Sequence, residues 1–80
     1  MYKGTKFGDL HKMMDSLGFR TIRQGRRVIF LHSSGRPAIL LPGYKSRDQV
    51  APIHLTMIRK QLVDAGLLEP DEFSVRMQEA

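Results

Sequence analysis

The sequence predicts an α+β domain of helix–strand–strand–strand–helix order: a three-stranded antiparallel sheet with two helices on one face, followed by a short C-terminal helix. Three observations predict it. Apolar residues recur at three- and four-residue intervals near the start of the chain and again after residue 52, the spacing of a helical stripe. Between these stretches lie three β-rich runs separated by glycine-containing gaps too short for a crossover, so neighbouring strands must run antiparallel. At 80 residues the chain has room for one hydrophobic core, formed by about residues 6–67 with a tail over about 69–78.

The first helix is expected over residues 6–17, where Phe7, Leu10, Met14 and Leu17 form the stripe. Thr5 is its expected N-cap and Gly18 its left-handed stop, while Gly8 in the first turn costs about 1 kcal/mol relative to alanine. Strands are expected over 19–23, 27–32 and 37–41, separated by Gly25 and by Ser33-Ser34-Gly35. Pro37 and Pro42 bracket the third run, and a residue without an N–H donor belongs at a strand's end or on an edge. A polar connection over 43–51 leads to Pro52, suited to a first helical turn, and Leu55, Ile58, Leu62 and Ala65 then mark a second helix over 52–65 that ends at Gly66. Phe73 and Met77 are spaced for one face of a terminal helix.

Alternation along the second strand places Val28, Phe30 and His32 on one face and Arg27, Ile29 and Leu31 on the other. Phe30 offers the largest burial, so its face is assigned to the helices. Arg27 then points away from the core, and Ile29 and Leu31 beside it form an apolar stripe that docks a partner or is covered by the chain's own tail.

Composition excludes several function classes. There are no cysteines, hence no disulfide framework, thiolate zinc site or cysteine nucleophile, which fits a reducing cytoplasm. The longest apolar runs have four residues, far short of the roughly 20 of a membrane helix, and the charged N-terminal region does not read as a secretory signal. His11, His32 and His54 do not match a metal-ligand spacing. His32, at a strand end, reads as a hydrogen-bonded structural residue, and His11 and His54 as surface residues of their helices. Neither a phosphate loop, a nucleophile motif nor a paired-carboxylate spacing is present, so no cofactor and no metal are expected.

The net charge of +5 is unevenly distributed. Between Asp15 and Asp48 stand seven basic residues, Arg20, Arg23, Arg26, Arg27, Arg36, Lys45 and Arg47, and no acid, whereas residues 64–80 carry five acids against Arg76. The basic part coincides with the sheet and its loops. Guanidinium forks presented there suit phosphates, and Arg20, Arg26, Arg27, Arg36 and Lys45 are the expected RNA contacts. A merely solvated basic face has the same composition.

Several motifs resemble the HicA-type (YcfA-like) toxins of bacterial toxin–antitoxin systems over residues 6–73. Leu17-Gly18-Phe19 resembles that family's helix stop and strand entry, and Arg23-Gln24-Gly25 followed by Val28-Ile29-Phe30-Leu31-His32 resembles its central hairpin. Ser34-Gly35-Arg36, Leu41-Pro42, Ile58-Arg59 with Leu62, Ala65-Gly66-Leu67 and Asp71-Glu72-Phe73 follow in the family's order. The resemblance implies a double-stranded-RNA-binding-like fold and an RNA-cleaving toxin held by a HicB-like antitoxin. It also implies a catalytic histidine after a Gly-Ser pair in the second strand. Here Gly25 is followed by Arg26, and Arg27 takes the histidine's place; His32 matches a family histidine further along the strand.

A guanidinium donates hydrogen bonds and stabilises charge but cannot act as a base. Three readings follow: an RNA binder that cleaves weakly or not at all; a ribonuclease whose catalytic residues are Arg27 and His32; and a protein-interaction module docking an acidic partner, an antitoxin or a second copy, through Ile29 and Leu31.

Overall fold

The computed structural model describes residues 4–79 and contains α1 (Phe7–Ser16), β1 (Phe19–Gln24), β2 (Arg27–His32), β3 (Ala38–Pro42), α2 (Pro52–Asp64) and α3 (Glu72–Glu79). The sheet is antiparallel with order β1-β2-β3, which puts proline-ended β3 on an edge. The α+β class and the helix–three strands–helix order are as the sequence predicts. Element ends shift slightly. β1 gains Gln24, and β3 begins at Ala38 and includes Pro42.

The start of α1 departs from expectation for a physical reason. Lys6, not Thr5, is the N-cap, and no side chain caps the helix. The free N–H groups of the first turn are met instead by backbone: Phe7 donates to the Asp48 carbonyl at 2.8 Å and Gly8 to that of Ser46 at 3.0 Å. Thr5 is buried, and its carbonyl accepts the Val50 N–H at 2.8 Å beside a Lys6–Gln49 bridge. A Cβ on Gly8 would stand 3.2 Å from the Ser46 carbonyl oxygen, so the helix-weakening glycine is what lets the 43–50 connection approach.

The hairpin register pairs Phe19 with His32 and Gln24 with Arg27, leaving Gly25 and Arg26 as a two-residue loop. Gly25, at φ +60°, is its first central residue, where a primed hairpin turn favours glycine. The second register pairs Val28 with Leu41 and Phe30 with Ile39. All four of these are buried, whereas Leu40 between the last two is 58% exposed. One sheet face is therefore covered and the other open.

Phe7, Leu10 and Met14 of α1 and Leu55, Ile58 and Leu62 of α2 join Phe19, Val28, Phe30, Ile39 and Leu41 in a single core, so both helices lie on the covered face. α2 closes with the two hydrogen bonds of a Schellman end, Leu67 to Leu62 at 2.9 Å and Gly66 to Val63 at 3.0 Å, around Gly66 at φ +75°. Beyond it Leu68 and Phe73 are buried in the core, and the Arg59 guanidinium donates to the Pro70 carbonyl at 3.2 Å. The side chain of Met77, expected beside Phe73, lies outside the described residues. No helix among the described residues is long and apolar enough to cross a membrane.

Candidate nucleic-acid interface

Strand register sorts the basic residues into two ends of the sheet. The β1–β2 loop carries Arg26, with Arg23 and Arg27 flanking it. Pro42, the last residue of β3, pairs with Arg27, so the connection bearing Lys45 and Arg47 leaves from the same end. A Cβ built on Gly43 would lie only 3.0 Å from the Arg26 carbonyl oxygen, showing how closely this connection passes the hairpin loop. Arg23, Arg26, Arg27, Lys45 and Arg47 thus belong to one cationic end, and all five are exposed.

Arg20 pairs across with Leu31, and Arg36 lies in the β2–β3 connection. Both stand at the opposite end of β2, about 15 Å away at the rise of an extended strand. Arg36 also lines a shallow depression with Asp64, an acid that disfavours a phosphate there. Of the five expected RNA contacts, the fold brings together Arg26, Arg27 and Lys45 and separates Arg20 and Arg36. Arg23 and Arg47 join in their stead. The acid-free interval contained them, but only the hairpin register and the return of the loop reveal their position.

Arg23 is in part a packing residue, its guanidinium carbon 5.7 Å from the centroid of the buried Phe7 ring. Asp48 is the acid of the cationic loop. Its carboxylate accepts the Lys45 backbone N–H at 2.8 Å, so it closes the turn that presents Lys45. Because the Gly43 contact is with backbone, Gly43→Ala is expected to force the loop from the hairpin and destabilise the domain by about 1–3 kcal/mol, checked by urea unfolding.

Arg27 and His32 do not form one catalytic group. Arg27 begins β2 on the open face, and His32 ends it on the covered face. The His32 ring is occupied at both nitrogens: Nε2 lies 3.1 Å from the Leu17 carbonyl oxygen, and Nδ1 2.9 Å from Ser34 Oγ and 3.2 Å from the Ser34 backbone nitrogen. It packs edge-on against Phe19 at 5.0 Å. This is the structural histidine the sequence suggests, holding the turns at 17–18 and 33–34 together.

His11 is exposed on α1, as expected. His54 is not the surface residue predicted: it is half-buried, with Nδ1 2.6 Å from Tyr44 Oη. The reason is Tyr44, which stacks on Phe7 at 5.7 Å and accepts the Ala51 N–H at 3.0 Å. No group of three or more histidines and acids able to hold a metal occurs among the described residues.

Comparison with family models, curated proteins and solved structures finds no match for this chain.

The open face completes the surface. Ile22 pairs with Ile29 and Ile29 with Leu40, and Leu31 pairs with Ala38 in the next row. Ile29 and Leu31 are half-buried by their neighbours alone. Arg27 stands at one end of these rows and Arg20 at the other, so the apolar surface is bracketed by cations.

Proposed function

We propose that this chain is an RNA-binding protein of the toxin–antitoxin type, HicA-like and built on a double-stranded-RNA-binding-like fold, in which β2 binds phosphate without cleaving as that family's histidine does. The observation that carries the reading is the gathering of Arg23, Arg26, Arg27, Lys45 and Arg47 at one end of the sheet. Two adjacent projecting elements, the hairpin loop and the 43–48 connection, supply these cations from separate backbones, which suits phosphates on both sides of a groove. Arg27 at the histidine's place keeps the phosphate contact and removes the base. A cytoplasmic location accords with this reading.

If three to five of these side chains neutralise phosphates, the logarithm of the affinity for duplex RNA falls against that of salt with a slope of about −2.7 to −4.5. Raising salt from about 50 to 200 mM then weakens binding roughly 40- to 500-fold. Titration of labelled double- and single-stranded RNA at several salt concentrations checks this. Arg27→Glu should weaken binding at least about 10-fold, and Arg76→Glu, in the acidic tail and paired with Glu72 at 3.4 Å, less than about 2-fold. Absence of binding at low salt, or equal effects of the two variants, refutes the reading.

The open face supports a second, compatible role in binding a HicB-like antitoxin. Ile22, Ile29, Leu31 and Leu40 offer an apolar centre between Arg20 and Arg27, the complement of an apolar segment flanked by carboxylates. Two copies docked through this face would oppose arginines to arginines, which favours an acidic partner over a homodimer.

A further inference from the structure

The two outer strands of the sheet, β1 and β3, present different edges. The β1–β2 register pairs Phe19 with His32, and one step beyond it the Ser33 N–H donates to the Gly18 carbonyl at 2.9 Å. Hydrogen-bonded pairs alternate along an antiparallel ladder. Arg20, Ile22 and Gln24 therefore bond inward to β2, and Phe19, Thr21 and Arg23 turn their backbone groups outward. Phe19 is shielded, at 3% exposure. Thr21 is half-buried and Arg23 exposed, and neither makes another backbone hydrogen bond among the described residues. On β3 the His32 N–H donates to the Pro37 carbonyl at 3.2 Å, and the same alternation turns Ala38, Leu40 and Pro42 outward. That edge ends in a residue without an N–H and carries no charge from Pro37 to Gly43.

We propose that the β1 edge is a docking site for an extended acidic segment of another protein, which enters antiparallel as a fourth strand. The site stands independently of the RNA and antitoxin readings. Thr21 and Arg23 can each exchange a pair of backbone hydrogen bonds with an added strand. The apolar row of the open face, Leu40–Ile29–Ile22, stops at this edge, so an apolar residue opposite Ile22 extends it by one member. Arg20, on the open face, and Arg23, on the other, flank Ile22. Both are exposed, and neither is paired with an acid among the described residues. Acids opposite these two positions make attractive cross-strand pairs, which gives the occupant the pattern acid, apolar, any residue, acid. The same arginines keep a second copy off the edge: two chains pairing through β1 would gather four arginines between molecules that each carry a charge of +5.

The test uses the full nitrogen-labelled chain and the blocked peptide acetyl-Thr-Glu-Val-Thr-Glu-Val-amide. Its first valine falls opposite Ile22 and its glutamates opposite Arg23 and Arg20. Affinity is read from amide shifts in nuclear magnetic resonance. At saturating peptide, exchange of the Thr21 and Arg23 amide protons is expected to slow at least about 5-fold. N-methylation of the peptide's second and fourth residues removes the donors aimed at Arg23 and Thr21 and should abolish binding without altering the protein. Arg20→Glu should weaken binding about 2- to 30-fold, as an attractive cross-strand pair becomes repulsive, and lysine in place of the peptide's second glutamate should recover the loss. Absence of shifts at millimolar peptide, or binding that survives N-methylation, overturns the proposal. Binding that leaves the Thr21 and Arg23 amides exchanging as before overturns it too, as does a dimer of the unmodified chain paired through β1.

Discussion

Phe30→Ala is expected to unfold most of this domain at physiological temperature. Phe30 is 0% exposed, and its ring lies 5.7 Å from that of Phe7, stacked at 15°. Its cross-strand neighbours are Thr21 and Ile39, so the ring stands at the centre of β2, the central strand, beneath α1. Truncation removes the transfer free energy of the ring and leaves a cavity between two layers that the hairpin registers hold in place, a loss of about 3–5 kcal/mol. An 80-residue domain has only about 4–12 kcal/mol in total at the usual per-residue scale. The melting midpoint should fall roughly 15–35 °C, measured by circular dichroism. Leu40→Ala, on the open face of the neighbouring strand, is the control. With its side chain already 58% exposed, it should cost less than about 1 kcal/mol. A Phe30→Ala protein melting within a few degrees of the parent would show that the core does not depend on this ring.

The prediction for Phe30 was legible in the sequence because alternation along 27–32 leaves only one assignment that buries the aromatic ring, and strand periodicity carries that choice to Val28 and Arg27 without knowledge of the rest. The same local logic gave the glycine stops at Gly18 and Gly66. It failed where a residue's state is decided by chain distant in sequence. Thr5 has the chemistry of an N-cap, but the Ser46 and Asp48 carbonyls had already met the donors it would serve, and Gly8 looked like a weakness for want of the strand of chain that passes over it. His54 read as a surface residue because its partner, Tyr44, lies outside its helix, ten positions earlier. The basic residues were legible as a set and not as a site. Composition sees Arg20 and Arg27 as equivalent, whereas antiparallel pairing sends them to opposite ends of the sheet, and the return of the 43–48 connection past Arg26 adds Arg47 to the group.

Replacing Arg26 by Ser and Arg27 by His together should raise RNA cleavage by about 100- to 10,000-fold, the usual contribution of a positioned acid or base. The position is suited to the exchange. Residue 27 opens β2 with an exposed side chain on the open face, immediately after the two-residue hairpin loop, and Pro42 and Gln24 are its cross-strand neighbours. An imidazole there is shorter than a guanidinium and meets no packed side chain, so the fold should survive. Arg23, Lys45 and Arg47 remain to hold the phosphate. Serine at 26 recreates the Gly-Ser-His order that the HicA resemblance calls for after Gly25. Two cations are lost, so affinity falls while turnover rises, and the rates must be compared at saturating RNA. A double variant that folds and binds but gains nothing would show that residue 27 does not occupy the catalytic place. The opposite result is equally decisive. Efficient cleavage by the unmodified protein, lost in Arg27→Ala or His32→Ala, would assign catalysis to the guanidinium or to the strand-end imidazole and remove the ground for treating β2 as a binding strand only.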